Sequence, residues 1–297
     1  MSLYVYCSLT IFMLEDLNLK EITVPTIRLI MVIGAPDTGK TNLVWSMASR
    51  LKLSYKTAIV DLDMGQSHIG PPTMIAWAIV QKDAQDWGDL KARDFYFTGA
   101  VSPVGSLLPS IIGARLMTEK AFAVAEKILI DTTGLISEPS GRVLKQFKID
   151  LLRPDLIIAI ESTGELSHII DTFRYCKRPK IIRLAVSSAV KIKSPIKRSQ
   201  YRFERMKDYL KDGGVLEIER DKVGIRFTGS IGLKEGIINR VISLRDEFNM
   251  DIGLGVIKGM TERVFKIYTP LKDGDNISNI VIGRTVFDTK EKTLRDY

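Results

Sequence analysis

Residues 34–41 read Gly34-Ala35-Pro36-Asp37-Thr38-Gly39-Lys40-Thr41. Two glycines separated by four residues, then a lysine and a hydroxyl residue, form a cradle for a chain of phosphates. The glycines let backbone N–H groups turn inward with no Cβ in the way. Lys40 has the reach for β- and γ-phosphates, and the Thr41 hydroxyl can hold Mg²⁺. A helix starting at Lys40 aims its positive end at the anion. The flanks agree with this. Arg28–Gly34 is an apolar, β-rich run, and Leu43, Val44, Met47 and Leu51 repeat at helical spacing over Lys40–Leu53. The cradle is assigned to Gly34–Asn42, with Asn42 its last residue. Its ligand is ATP or another nucleoside triphosphate, with Mg²⁺.

Two further groups sit where strands should end. Asp61-Leu62-Asp63 closes the run Lys56–Asp63, and Gly65-Gln66 follows at once. Strand periodicity puts Asp61 and Asp63 on one face, at the carboxyl edge of a sheet, where open α/β folds bind ligands. Buried carboxylates there are costly unless a metal, a substrate or a proton needs them. Asp63 is read as a functional residue and Asp61 as a candidate; a helix cap or a pairing with a lysine is the competing reading for one of them. Asp131-Thr132-Thr133-Gly134 ends another apolar run in the same way, although an ordinary strand-to-loop turn reads equally well.

The net charge of +8 is concentrated. Thirteen Lys/Arg and two acids lie between Arg174 and Lys211, leaving 30 basic and 33 acidic residues elsewhere, a net −3. Within that block Arg198, Arg202 and Arg205 share one helix face. A polyanionic partner would explain the block; a solvated basic face is the competing reading.

The elements that must position these groups follow from periodicity. Apolar runs at 28–34, 56–63, 95–99, 127–131, 155–161 and 181–186 alternate with helical segments. They predict a parallel sheet with helices on both faces over 28–211, closed by a charged helix at 197–211. From 212 onward short strand-like runs dominate, predicting a small all-β domain over 212–297. Residues 1–27 form a short leading segment. Its apolar run, Leu3–Leu14, is too short to span a bilayer and lacks the marks of a signal peptide. Two cysteines, Cys7 and Cys176, make no disulfide framework. A cytoplasmic setting is expected, with no membrane partner.

Taken together, these residues resemble the polynucleotide 5′-hydroxyl kinase family, P-loop kinases of pre-mRNA cleavage, tRNA splicing and ribosomal-RNA processing. Asp37-Thr38-Gly39-Lys40 is similar to the family's cradle, and Asp61-Leu62-Asp63-Met64-Gly65-Gln66 to its D-x-D-x-G-Q motif. Thr132-Thr133-Gly134 resembles the T-x-G-W clasp, with Leu135 in place of tryptophan. Arg198, Arg202 and Arg205 resemble an arginine lid. The resemblance implies transfer of the γ-phosphate of ATP to the 5′-hydroxyl of RNA, or of DNA. Lys40 and Asp63 would act with Arg202 and Arg205, Thr41 and Asp63 would serve Mg²⁺, and Gln66, Thr132, Thr133, Gly134 and Arg198 would hold the acceptor. Two alternatives stay open. One is an ATP-binding scaffold of an RNA-processing complex that has lost turnover. The other is a switch-type P-loop ATPase acting on a protein. Protein partners are not legible.

Overall fold

The structure, a computed structural model, describes residues 19–229, 236–274 and 276–297. The run Leu3–Leu14 and Cys7 lie outside the described residues. The elements run α1 (Leu19–Thr23), β1 (Leu29–Gly34), α2 (Lys40–Leu51), β2 (Thr57–Asp61), β3 (Met74–Ile79), β4 (Asp94–Phe97), α3 (Leu107–Phe122) and β5 (Lys127–Asp131). Then come α4 (Ser140–Leu152), β6 (Leu156–Glu161), α5 (Ser167–Ile170), β7 (Lys180–Ala185) and α6 (Pro195–Leu210). The last strands are β8 (Gly214–Glu219), β9 (Gly224–Phe227), β10 (Arg240–Arg245), β11 (Asp251–Met260), β12 (Val264–Thr269), β13 (Asn279–Asp288) and β14 (Thr293–Asp296).

The chain divides into two compact units. The first takes residues up to Asp63, Ala76–Arg93 and Ala114–Lys193; the second takes Met64–Ile75, Asp94–Gly113 and Ser194–Tyr297. Helix α6 therefore groups with the C-terminal strands, whereas the sequence boundary at 212 counted it with the cradle.

In the first unit the strand order is β3-β2-β5-β1-β6-β7. β1 is flanked on both sides by parallel partners, β5 and β6. All its residues are buried, as a central parallel strand requires. β2 and β5 pair in parallel, as do β6 and β7. The sheet is not wholly parallel, however. β3 runs antiparallel to β2, with Asp61 opposite Ala76. Its sequence, MIAWAI, is buried throughout and has no alternation, so periodicity cannot distinguish it from a helix segment. Helix α2 packs on β1, β2 and β5. Buried charges hold the frame: Lys127 Nζ donates to the carbonyls of Ile22, Val24 and Ile27, and Asp155 accepts from the amides of Arg28 and Leu29.

In the second unit the antiparallel order is β14-β13-β10-β11-β12-β8, with β9 parallel to β13. Ile242, Leu244, Ile257, Phe265, Ile267 and Ile282 build its core. Helix α6 is capped by Ser194, whose hydroxyl accepts from Lys197 N, with Pro195 at the first turn. Phe203 of α6 stacks on Phe287 of β13, centroids 5.1 Å apart. Asp251 is a hub: it accepts from Arg245 Nε at 2.7 Å, from the Ser243 hydroxyl, and from Phe97 N at 3.0 Å. Arg245 and Asp251 are both buried. Breaking such a pair strands a charge, at a cost of about 3–5 kcal/mol. Asp251→Ala should therefore lower the urea unfolding midpoint sharply, and Arg245→Met added to Asp251→Leu should recover most of the loss.

Candidate active site

Gly34 ends β1 where a Cβ would meet Ile160 O at 2.7 Å and Thr38 Oγ1 at 2.6 Å, so only glycine fits. Asp37 (φ 56°) and Gly39 (φ 90°) take left-handed backbone, which turns the loop back over the start of α2. Thr38 Oγ1 donates to Ala35 O at 3.0 Å, and Lys40 Nζ reaches the same carbonyl at 2.6 Å. Lys40 is thus folded across its own loop and is 6% exposed. Asp37 Oδ2 accepts from Lys193 N at 2.9 Å, tying the cradle to the middle of the basic segment. Asp37 therefore has a structural role beside its place in the motif.

The acids come from two parallel strands in register. β2 and β5 set Asp61 opposite Asp131, and Leu62 N donates to Asp131 O at 2.9 Å. Asp61 accepts from the amide of Asp63 at 3.0 Å, shaping the turn that carries Asp63. The Thr41 hydroxyl donates to Asp131 Oδ2 at 2.6 Å, while Asp131 Oδ1 has no hydrogen-bond partner among the described residues. Burial pushes the Asp131 carboxyl up to about 6. The Thr41 hydrogen bond and the Lys40 and Lys145 charges pull it down, and Asp63 adds to the rise. A buried carboxylate with one open oxygen, beside a threonine hydroxyl and a second carboxylate, is a hard-oxygen donor set that fits Mg²⁺. Sequence reading paired Thr41 with Asp63 alone; the structure sets Asp131 against the Thr41 hydroxyl because β5 is the strand next to β1.

The Thr132–Gly134 loop splits its duties. Thr132 donates to Val32 O at 2.8 Å and is fully buried, so its hydroxyl serves the sheet. Gly134 lies against the cradle: a Cβ there would sit 2.6 Å from Pro36 N. The Thr133 hydroxyl has no hydrogen-bond partner among the described residues, and its carbonyl accepts from Lys145 Nζ at 2.6 Å.

Lys145 and Lys148 are the residues that sequence reasoning missed. Gly141, Leu144, Lys145, Lys148, Ile149 and Leu152 form the buried stripe of α4. Two positions of that stripe are lysines, and both are wholly buried. The signal was readable: cations on the apolar face of an amphipathic helix. Burial, followed by the Lys148 and Lys40 charges, drives Lys145 well below its ordinary value, against the pull of Asp63 and Asp131. Burial lowers Lys148 to about 8, opposed by the Asp63 carboxylate. Lys148 Nζ has no hydrogen-bond partner among the described residues.

The other predicted site residues belong to the second unit. Gln66 Nε2 donates to Gly65 O at 3.1 Å and to Arg198 O at 3.2 Å. Tyr201 donates to Ser67 O at 2.8 Å. Arg205 donates to His68 O at 3.2 Å and Gly70 O at 2.7 Å. The segment after Met64 is therefore stapled along α6, and Arg205 has a structural duty there. Arg198 and Arg202 are partly exposed on the same helix. Elsewhere in the basic block, Arg174, Arg178, Lys180, Arg183 and Lys207 form ion pairs with acids.

Strand, cradle and helix in this order, with an aspartate on the adjacent parallel strand bonded to the cradle threonine, place the first unit among P-loop proteins that handle nucleoside triphosphates. The match is narrower than that. Residues 34–212 match the family described as mRNA cleavage and polyadenylation factor CLP1 P-loop, and the chain belongs to it. The chain is 30% identical to a polyribonucleotide 5′-hydroxyl-kinase of Pyrococcus furiosus, over 86% of both proteins. It is 29% identical to the one from Methanocaldococcus jannaschii, over 89% of this chain and 88% of that protein. A solved Clp1p–Pcf11p complex gives a TM-score of 0.71 at 12% identity, over 94% of this chain and 78% of that one, a likeness of fold.

A cation buried with no hydrogen-bond partner costs stability, with a definite pH dependence. Lys148 titrates near 8 when folded, against an ordinary 10.5. Between those values the unfolded chain keeps a proton that the folded chain has lost, so stability rises with pH. Below 8 both states are charged and the fold bears the whole penalty. Lys148→Met should therefore raise the melting temperature at pH 7, by an equivalent on the order of 3 kcal/mol. The two melting curves should converge as pH approaches 10.5.

Proposed function

We propose that this protein is an ATP-dependent polynucleotide kinase that places the γ-phosphoryl group on the 5′-hydroxyl end of RNA, with Mg²⁺. What carries this reading is the chain's match to an archaeal polyribonucleotide 5′-hydroxyl-kinase over 86% of both proteins, in a molecule whose own phosphate cradle is complete. Backbone amides of the loop from Gly34 to Thr41 and the start of α2 hold the phosphate chain. Lys40 exchanges its bond to Ala35 O for the β/γ-phosphate oxygens. Thr41, Asp131 and Asp63 are the oxygens offered to Mg²⁺, which when bound neutralises charge across the β- and γ-phosphates.

Asp63 also orients the acceptor and takes its proton. The 5′ oxygen bonds to the γ-phosphorus, the bond from that phosphorus to the β,γ-bridging oxygen breaks, and ADP leaves. Lys145 fixes the Thr133 carbonyl, so the Thr133 hydroxyl is presented from a rigid loop; this is the positioning that Leu135 cannot supply by stacking. Arg202 is assigned to neutralise the migrating phosphoryl, on the family resemblance. No helix among the described residues is long and apolar enough to cross a membrane. The exposed free Cys176 fits the cytoplasm to which we assign the protein.

The test is transfer of labelled γ-phosphate to a 5′-hydroxyl oligoribonucleotide. Wild type should transfer; Lys40→Ala should not. Asp63→Asn should lose about 10²–10⁴ in kcat while keeping ATP affinity, as the loss of a general base does. Arg202→Ala should lower kcat more than it raises KM for ATP. Tight ATP binding with no transfer by wild type would leave the scaffold reading standing. ATP hydrolysis stimulated by a protein, with no oligonucleotide product, would select the switch ATPase. Activity near normal in Asp63→Asn would remove Asp63 from its role.

A further inference from the structure

Helix α4 buries a charge that neither the frame nor the mechanism above uses. Every position of its inward stripe is glycine or aliphatic except Lys145 and Lys148. Lys145 Nζ is bound to a carbonyl. Lys148 is wholly buried, and its Nζ has no hydrogen-bond partner among the described residues. An apolar side chain would fill the same place with no charge to desolvate. A penalty of this kind persists where function needs the charge.

The fold says where the amine points. β5 and β6 both run parallel to β1, and α4 connects them. Helix α4 therefore starts at the carboxyl edge of the sheet. Lys145 marks that edge by donating to Thr133 O at 2.6 Å. Lys148 follows three positions later on the same face, beside Lys145. Helical side chains lean toward the helix N-terminus, so the Lys148 stem runs back toward the edge. The corner it approaches holds the carboxylates. Asp131 stands two residues before Thr133; Asp61 is level with Asp131 and accepts from the amide of Asp63. The electrostatics agree. Burial lowers Lys148 to about 8, and the Asp63 carboxylate opposes that fall. Asp131 feels Asp63 as a like charge.

We infer that Lys148 is a positioning residue for Asp63: its buried ammonium group holds the Asp63 carboxylate at the acceptor site against repulsion from Asp131. The inference rests on the kinase reading above. Asp63 sits on a turn just past β2 and is only partly buried. Repulsion from Asp131 favours rotamers that swing it out to water. A cation on the α4 side offsets that repulsion. Lys145 is less suited to the task, since its amine is taken by the Thr133 carbonyl. Lys148 touches neither nucleotide nor acceptor and works through Asp63.

The experiment is a double-mutant cycle on the full chain at pH 7. Single-turnover transfer of labelled γ-phosphate to a 5′-hydroxyl oligoribonucleotide gives the rate; melting temperature and ATP affinity are measured on every variant. Lys148→Met should melt above wild type, bind ATP within about twofold of wild type, and transfer about tenfold or more slowly. Greater stability with lower activity is the pair of changes that a merely structural lysine would not give. Lys148→Arg keeps the charge and should keep most of the rate. Added to Asp63→Asn, Lys148→Met should change the rate by less than about twofold, because no carboxylate is left to position. Added to Thr133→Val, its loss should persist in full. A methionine variant that transfers as fast as wild type would overturn the inference and leave Lys148 a core residue. The full loss reappearing in the Asp63→Asn background would overturn it as well, since the charge would then act on another group. So would a methionine variant that melts below wild type, which is a packing defect. Should wild type itself transfer no phosphate, the kinase reading fails and this role with it; an active wild type beside an equally active methionine variant removes the role of Lys148 alone.

Discussion

The register of three parallel strands sets everything at the phosphate cradle. β1 delivers the loop, β5 lies directly beside it, and β2 lies beside β5. Residue-for-residue pairing brings Asp131 level with Asp61, and Asp131 meets the Thr41 hydroxyl at the first turn of α2. A shift of one residue in β5 would turn Asp131 to the opposite face. The carboxyl edge of the sheet is a sound place for such groups, because the backbone there opens toward ligand while the apolar strands behind it remain dry.

Two kinds of buried charge can be told apart by their partners. Lys127, Asp155, Arg245 and Asp251 are buried with their polar atoms taken up by carbonyls, amides or each other. They fasten the frame. Asp131 keeps one oxygen open, Lys148 has no hydrogen-bond partner among the described residues, and Lys145 holds one carbonyl. Incomplete satisfaction in a dry site costs stability, and it persists where function uses it.

The basic block resolves into parts with different work. Arg174, Arg178, Lys180 and Arg183 meet acids within the first unit. Arg205 braces the segment at His68–Gly70 within the second. Charge counted along the chain groups these residues into one block.

The cradle was legible because its residues are contiguous and its chemistry is local: glycines for backbone, a lysine, a hydroxyl, a strand before and a helix after. The central strands were legible for the same reason, since a fully buried parallel strand is one apolar run. Asp61, Asp63 and the arginine helix followed from position at strand ends and from helical spacing. β3 escaped because its antiparallel pairing with β2 is a long-range choice that its own six residues do not encode. The promotion of Asp131 to the cradle's partner needed the strand order, since nothing local says that β5 rather than β2 lies beside β1. Lys145 and Lys148 needed the packing of α4, because a lysine in a sequence is a solvated cation until tertiary structure closes over it. Residues 34–41 by themselves determined that phosphates bind here; only the folded sheet decided which carboxylate stands beside them, because that depends on which strand is neighbour to which.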